Sequence, residues 1–326
     1  MSIWTLTWRA MGCTLQAQIA SEREDARDAL NALPAQVEAL EACLSRFRPE
    51  SELMRFNRQA GAWVDVSAVL LACLQAAKQA SRLSAGKFNP FILPALLKAG
   101  YTHNFADLDT QSAPEMHTVS TITDWQALEL DARQARARIP QGTALDLGGI
   151  AKAWSAQRLL DTLMPDVPAL LDFGGDIVAR ATPARQAGWV VAIQEPYSDV
   201  PLVHIALRNA TIATSGTDYR RWRGADGQMR HHLIDPQTAQ PAHSDIVSLS
   251  VIHPSAIHAE AYAKAGLLMG SETALNWLSQ QWHTHALAVL QDGSVLSTPD
   301  FPSFILDHPL AQFTQGADHE YPTFSE

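Results

Sequence analysis

The chain has 326 residues, 47% of them apolar and 18% charged, ordinary values for a globular protein with a sizeable core. Its net charge of −10 excludes a general nucleic-acid binder and a docking face for anionic membranes, so an anionic ligand would need a local positive site. Cys13, Cys43 and Cys73 are scattered and odd in number, which sets aside a disulfide framework and a cysteine zinc site, and no apolar run is long enough to span a bilayer.

Residues 3–20 predict two strands meeting at Met11-Gly12. Ala10-Met11-Gly12-Cys13 imitates a lipoprotein cleavage box, but no apolar segment precedes it and Arg9 lies where one should end. Cys13 is therefore expected to be a buried strand residue, and the protein cytoplasmic. Residues 22–46 are helical in pattern, with Pro34 splitting or kinking the run, and residues 47–61 read as a polar, turn-rich segment. Ser67 is placed to cap a helix through Leu83 that ends at Gly86, with Ala68, Leu71, Ala72, Gln75 and Ala76 on its core face. In residues 86–95 two prolines bracket an apolar run, which argues against a long helix or a central strand and suits a rigid loop. Residues 102–124 read as a surface excursion, and residues 127–130 and 135–139 as a hairpin.

Residues 144–153 combine a β-like run ending in Asp146, two glycines, and a helix whose Ala153, Ala156, Leu159, Leu160 and Leu163 share one face. Strand, glycine pair, helix N-terminus and Lys152 describe an anion cradle; a tight turn with a solvated lysine reads equally well. A second Gly-Gly follows the strand at 168–172, with Asp176 beside it; that carboxylate could accept from a ligand's hydroxyls or amine, or serve only the turn. Strands are expected at 189–193 and 203–207. A β-branched strand runs into Ser215-Gly216, followed by Tyr219 and Arg220, and His232 leads into Leu-Ile-Asp-Pro. Residues 247–252 read as a strand and 256–269 as a helix stopped by Gly270. Glu260 and Lys264 on that helix form an i,i+4 pair, worth about 0.3–0.5 kcal/mol at a surface. A helix at 272–281 and a strand at 285–290 complete the pattern, and residues beyond Pro299 lack periodicity.

Taken in order, Met11-Gly12, Phe88-Asn89-Pro90, Asp146-Leu-Gly-Gly-Ile-Ala-Lys152, Gly174-Gly-Asp176, Thr214-Ser-Gly216 with Tyr219-Arg220, His232-Leu-Ile-Asp-Pro236 and Ala259-Glu-Ala261 resemble the ApbE-type FAD:protein FMN transferases. The resemblance implies an α+β fold of two lobes with mixed or antiparallel sheets and a flavin cleft between them. It places one bilobal domain at residues 1–298 and a C-terminal tail at 299–326. It implies an enzyme that binds FAD, transfers FMN to a Thr or Ser hydroxyl of an acceptor flavoprotein, and releases AMP. By the same resemblance Ala151 lends a carbonyl to a Mg²⁺ ion, and Lys152, Ser215 and Gly216 lie near the pyrophosphate. His232 takes the acceptor's proton, and Met11, Phe88, Asp146, Gly174, Gly175, Asp176, Tyr219 and Arg220 shape the flavin and adenosine pockets.

The metal position departs from the family pattern. Where the family usually shows Ala-Asp-Ala, with a Thr or Asp one turn later, this chain has Glu260 and Lys264. Glutamate keeps an oxygen ligand; protonated lysine offers no lone pair. The family's Asp-x-Thr is here Asn89-Pro90-Phe91, and Gln157 replaces an acidic residue. Three readings follow: a transferase in which Lys264 stands in for the metal, an FAD-binding relative that has lost transfer because the metal site is altered, or a non-flavin protein on the same scaffold, such as an assembly partner or another nucleotide binder. The acceptor pattern Asp-Gly-x-Thr/Ser-Gly-Ala-Thr is absent, so self-modification is not expected.

Overall fold

The structure, a computed structural model, describes residues 2–105, 121–224 and 227–307. It opens with β1 (Ile3–Ala10) and β2 (Cys13–Ala20), an antiparallel hairpin. Met11 and Gly12 both take positive φ, 51° and 71°, the twist that a two-residue hairpin loop requires. Helix α1 (Glu24–Leu44) is unbroken, with Pro34 inside it. Its stripe of Ala26, Leu30, Leu33, Val37, Leu40 and Leu44 is buried, and that packing outweighs the hydrogen bond the proline forgoes.

The segment expected to be turn-rich contains α2 (Glu52–Arg58), capped by Ser51, whose Oγ accepts from Met54 N at 3.1 Å. After β3 (Val64–Asp65), Ser67 caps α3 (Ala68–Leu83). Of the residues expected on the core face of α3, Leu71 and Ala76 are buried, together with Leu70, Cys73, Leu74, Ala77 and Ala80, whereas Ala68 and Gln75 are exposed. A 3₁₀ turn at Pro90–Ile92 leads into α4 (Leu93–Lys98). The excursion expected at 102–124 falls mostly outside the described residues. β4 (Glu129–Asp131) and β5 (Arg136–Arg138) form the predicted hairpin, with Leu130 opposite Ala137.

Helix α5 (Ala151–Thr162) is followed by β6 (Ala169–Phe173), β7 (Ile177–Arg180), β8 (Trp189–Gln194), β9 (Pro201–Leu207) and β10 (Ala210–Gly216). Two short pairs come next: β11 (Arg221–Arg223) with β12 (Met229–His231), and β13 (Ile234–Asp235) with β14 (Gln240–Pro241). Then come β15 (Ile246–His253), α6 (Ala256–Met269), α7 (Ser271–Ser279), β16 (His285–Leu290), β17 (Val295–Ser297) and β18 (Ile305–Asp307).

An eight-stranded sheet in the order β1-β2-β6-β7-β10-β15-β16-β17 is the spine, and its pairings are antiparallel. Alternation along the strands supplies both faces. Leu15, Ala17, Ala169, Leu171 and Phe173 pack under α1, α3 and α5, and Leu249, Val251, Ala286 and Ala288 under α6 and α7. Leu170, Ile212, Ile252 and Leu287 face the opposite way, onto the small sheet β18-β9-β8. The fold is thus α+β with antiparallel sheets, and the helices form two groups over one sheet.

Part of the expected tail belongs to the fold. Phe301 is fully buried beneath the small sheet, and β18 pairs with the open edge of β9. Two prolines hide this from a periodicity reading; residues 308–326 lie outside the described residues.

Candidate functional site

The run before α5 is extended but joins no ladder. Its backbone is satisfied otherwise: the Asn57 amide donates to Leu145 O and accepts from Leu145 N, both at 2.9 Å, and Asp146 N donates to Pro90 O at 2.8 Å. The strand read into residues 144–146 is therefore a strap held by a side chain. Asp146 is held in turn. Its Oδ2 takes Arg46 Nε at 2.7 Å, with both side chains almost fully buried, and its Oδ1 accepts from Gly148 N at 2.7 Å. The Arg46 guanidinium lies over the rings of Phe47 and Tyr101, at 4.0 and 4.5 Å. Asp146 thus fixes the glycine turn at the head of α5. Leu147 O accepts from both Ile150 N and Ala151 N, and the helix has no side-chain N-cap, so its positive end is narrower than a full cradle but remains unblocked by a cap.

Lys152, in the first turn of α5, meets the β6–β7 turn. Its Nζ is 2.5 Å from Asp176 Oδ2 and 3.4 Å from Phe173 O. Burial works against its charge, but Asp176 and Glu260 prevail and raise its pKa above the ordinary 10.5. In that turn Gly174 has φ +72°, and a Cβ there would meet Cys13 Sγ at 2.7 Å, so torsion and space both demand glycine. Gly175 N donates to Asp172 Oδ1 at 2.8 Å. Cys13, expected to be buried, is half-exposed at the start of β2 because it lies on the wall of a cavity.

Helix α6 is enclosed on nearly every side, so its i,i+4 pair is not a surface pair. Lys264 Nζ lies 2.5 Å from Glu260 Oε1, and the side chains are 16% and 3% exposed. Glu260 Oε2 is buried without a partner. Burial, and then the charge of Asp176, push the Glu260 carboxyl up to about 7 against the pull of Lys264 and Lys152.

Strand β10 ends at Ser215, whose Oγ is buried and unpartnered, and Gly216. Beside it, Thr214 Oγ1 and Ser250 Oγ are 2.8 Å apart. Tyr219 is 78% exposed, its ring 5.9 Å from that of Phe105. His232 sits after β12, edge-on to Tyr101 at 6.5 Å, with Nδ1 buried and unpartnered. Burial, and then the charges of Arg220, Lys264, His231 and Lys152, hold its pKa well below 6.5.

One cavity of about 660 Å³ gathers these groups, a size typical of cofactor sites. Met11, Phe88, Asp146, Ala151, Lys152, Gly174, Gly175, Asp176, Ser215, Gly216, Tyr219, Arg220, His232, Glu260 and Lys264 all line it. Gly149, one of the two glycines of the cradle, lines it too, and so do Arg46, Tyr101 and Asp172, which went unread in the sequence. Only Arg46-Phe47, a cation beside an aromatic ring, offered a local hint.

The residues do not fit a magnesium ion. Mg²⁺ requires near-octahedral oxygen coordination. Here the Ala151 carbonyl and Glu260 stand with an ammonium already on one carboxylate oxygen. Among the described residues no group of three His, Cys, Asp or Glu side chains converges to hold a metal.

The ApbE family model matches residues 11–288. An FAD:protein FMN transferase of Treponema pallidum (strain Nichols) is 32% identical over 274 residues, covering 78% of this chain and 75% of that protein. One from Klebsiella pneumoniae (strain 342) is 27% identical over 270 residues, covering 81% and 83%. In three dimensions the chain is similar to the ApbE protein of Thermotoga maritima, with TM-score 0.82, 24% identity and coverage of 94% and 100%. It is also similar to the apo form of the flavinyl transferase ApbE of Pseudomonas stutzeri, with TM-score 0.76, 22% identity and coverage of 93% and 98%. With the family model spanning most of its length, the chain belongs to the ApbE family.

Proposed function

We propose that this protein is an FAD:protein FMN transferase that moves FMN from FAD to a Thr or Ser hydroxyl of an acceptor flavoprotein. The acceptor oxygen attacks the FMN phosphorus and forms a new P–O bond. The bridging P–O bond breaks, AMP departs with the electron pair, and the hydroxyl proton passes to a base. Such a reaction asks the protein mainly for position and charge, with little covalent work. The observation that carries this reading is that two ammonium groups, Lys152 and Lys264, line the same cavity as the unpartnered Ser215 Oγ and His232 Nδ1.

In this reading Lys152, Ser215 and Gly216 receive the diphosphate. His232, neutral because its pKa is depressed, is free to accept the proton. Asp146 acts through the turn it holds and Asp176 through Lys152, with which it pairs, and Met11, Phe88, Tyr219 and Arg220 border the rings. A cytoplasmic setting belongs to the same reading: Cys13 is paired into the β1–β2 hairpin, which a cut before it would take apart. No helix among the described residues is long and apolar enough to cross a membrane.

The test is incubation with FAD and an acceptor domain carrying an Asp-Gly-x-Thr/Ser-Gly-Ala-Thr segment, followed by denaturing gel fluorescence. A fluorescent acceptor band supports transfer. FAD that stays bound and intact would favour the other reading, in which the Glu260–Lys264 pair closes the site.

A further inference from the structure

We propose that Lys264 is a built-in substitute for a divalent cation, its ammonium held by Glu260 against the diphosphate end of the cavity, so that ligand binding and transfer need no metal. The inference rests on the transferase reading for its chemistry and on three features of the structure for its geometry.

The first is placement. Lys264 and Glu260 are one turn apart on an enclosed helix, both line the cavity, and their 2.5 Å contact is nearly buried. A lysine serving only solubility would extend into water.

The second is the path of the side chain. A Cβ on Gly149 would stand 2.8 Å from Lys264 Cε and 3.2 Å from Phe88 Cε2. Gly149 lies just before Ile150, the residue that opens α5. The glycine turn thus admits the lysine stem and delivers its charge to the helix end where Lys152 also stands. The two charges and the helix dipole then act on one place.

The third is unused capacity. Glu260 Oε1 is the partner of Lys264 Nζ, which leaves ammonium N–H groups for ligand oxygens. Glu260 Oε2 is buried without a partner, so the carboxylate engages the ammonium through Oε1 alone and does not surround it. Magnesium would have to displace that ammonium, at 2.5 Å from the oxygen it needs. As AMP departs, negative charge grows on the oxygens of its phosphate; a fixed ammonium stabilises that charge as a metal would, with a single positive charge.

The experiment measures FAD binding, by flavin fluorescence, and acceptor flavinylation, each in MgCl₂ and in EDTA, for the wild type, Lys264→Met and Lys264→Thr. For the wild type both readouts are expected to be the same in the two buffers. Lys264→Met should weaken FAD binding by about tenfold or more, the worth of a charge-assisted hydrogen bond, in either buffer. Lys264→Thr, which returns an oxygen to the position, should bind FAD better in MgCl₂ than in EDTA. Wild-type binding or transfer that collapses in EDTA and recovers with MgCl₂ would overturn the inference, and that arm needs no variant to fold. If the wild type transfers nothing in either buffer, the transferase reading fails and the binding arm decides this one. Binding indifferent to EDTA but weakened in Lys264→Met sustains it; binding unchanged in Lys264→Met refutes it.

Discussion

The stem of Lys264 crosses the backbone of Gly149 so closely that a methyl group at that position would lie 2.8 Å from Lys264 Cε. The glycine is required by a side chain from another helix, since its φ lies outside the left-handed range. Gly149→Ala is expected to push the flexible lysine off Glu260 while the fold survives. FAD affinity should fall by about tenfold, the worth of one charge-assisted contact, and the melting temperature should fall with it, because the buried Glu260 carboxylate loses its partner. FAD titration and a thermal melt of the same sample check this; unchanged affinity would show that Lys264 does not meet the ligand.

Lys152 and Asp176 form another buried pair, at 2.5 Å, with Asp176 3% exposed. Lys152→Met strands that carboxylate, and breaking such a pair costs about 3–5 kcal/mol. Denaturant unfolding should show the loss. Asp176→Asn added to Lys152→Met should recover most of the stability and none of the flavin transfer, which separates the structural part of the pair from its part in the reaction.

His232 accepts a proton only when neutral. Its pKa is held well below 6.5 by burial first and by neighbouring cations next, so the neutral form is complete above pH 6.5. Its contribution to the transfer rate is therefore flat from there upward and falls only on further acidification. His232→Asn should lower the rate by about 10²–10⁴-fold, the range for a lost general base, with little change in FAD affinity. Rates across pH for wild type and variant measure both effects.

His253 tests the pH dependence of the fold away from the cavity. Its ring stacks on His258 with centroids 4.4 Å apart, and its Nδ1 accepts from Ser255 N at 2.9 Å at the head of α6. Burial, and then the His258 charge, lower its pKa from 6.5 to about 4. The unfolded chain takes the proton at the higher value, so the stability present above pH 6.5 is lost as pH falls towards 4. His253→Asn keeps an acceptor and removes the titration. Relative to wild type, its melting temperature should improve steadily between pH 7 and pH 5.

Elements with local punctuation were legible in the sequence. Met11-Gly12 turns the first hairpin, Ser67 caps α3, and Gly270 stops α6. Helix α2 had the same kind of signal in Ser51-Glu52, masked by its polar surroundings. The cavity residues were legible as types, because glycine pairs, lysine and histidine mark strand ends and helix starts. Their partnerships were not. Arg46 with Asp146, Lys152 with Asp176, and Gly149 with Lys264 join residues that are distant in sequence; tertiary packing alone brings them together. For the same reason Glu260–Lys264 read as a surface pair: the i,i+4 spacing is local, while the walls that bury it are not.

The most direct measurement follows both products of the reaction. The protein is incubated with FAD and the acceptor domain, AMP is quantified, and the acceptor is weighed by mass spectrometry. The expected result is acceptor heavier by one FMN phosphoester, with AMP released in equal amount, and neither product in Lys152→Met. Unmodified acceptor with FAD intact would contradict it.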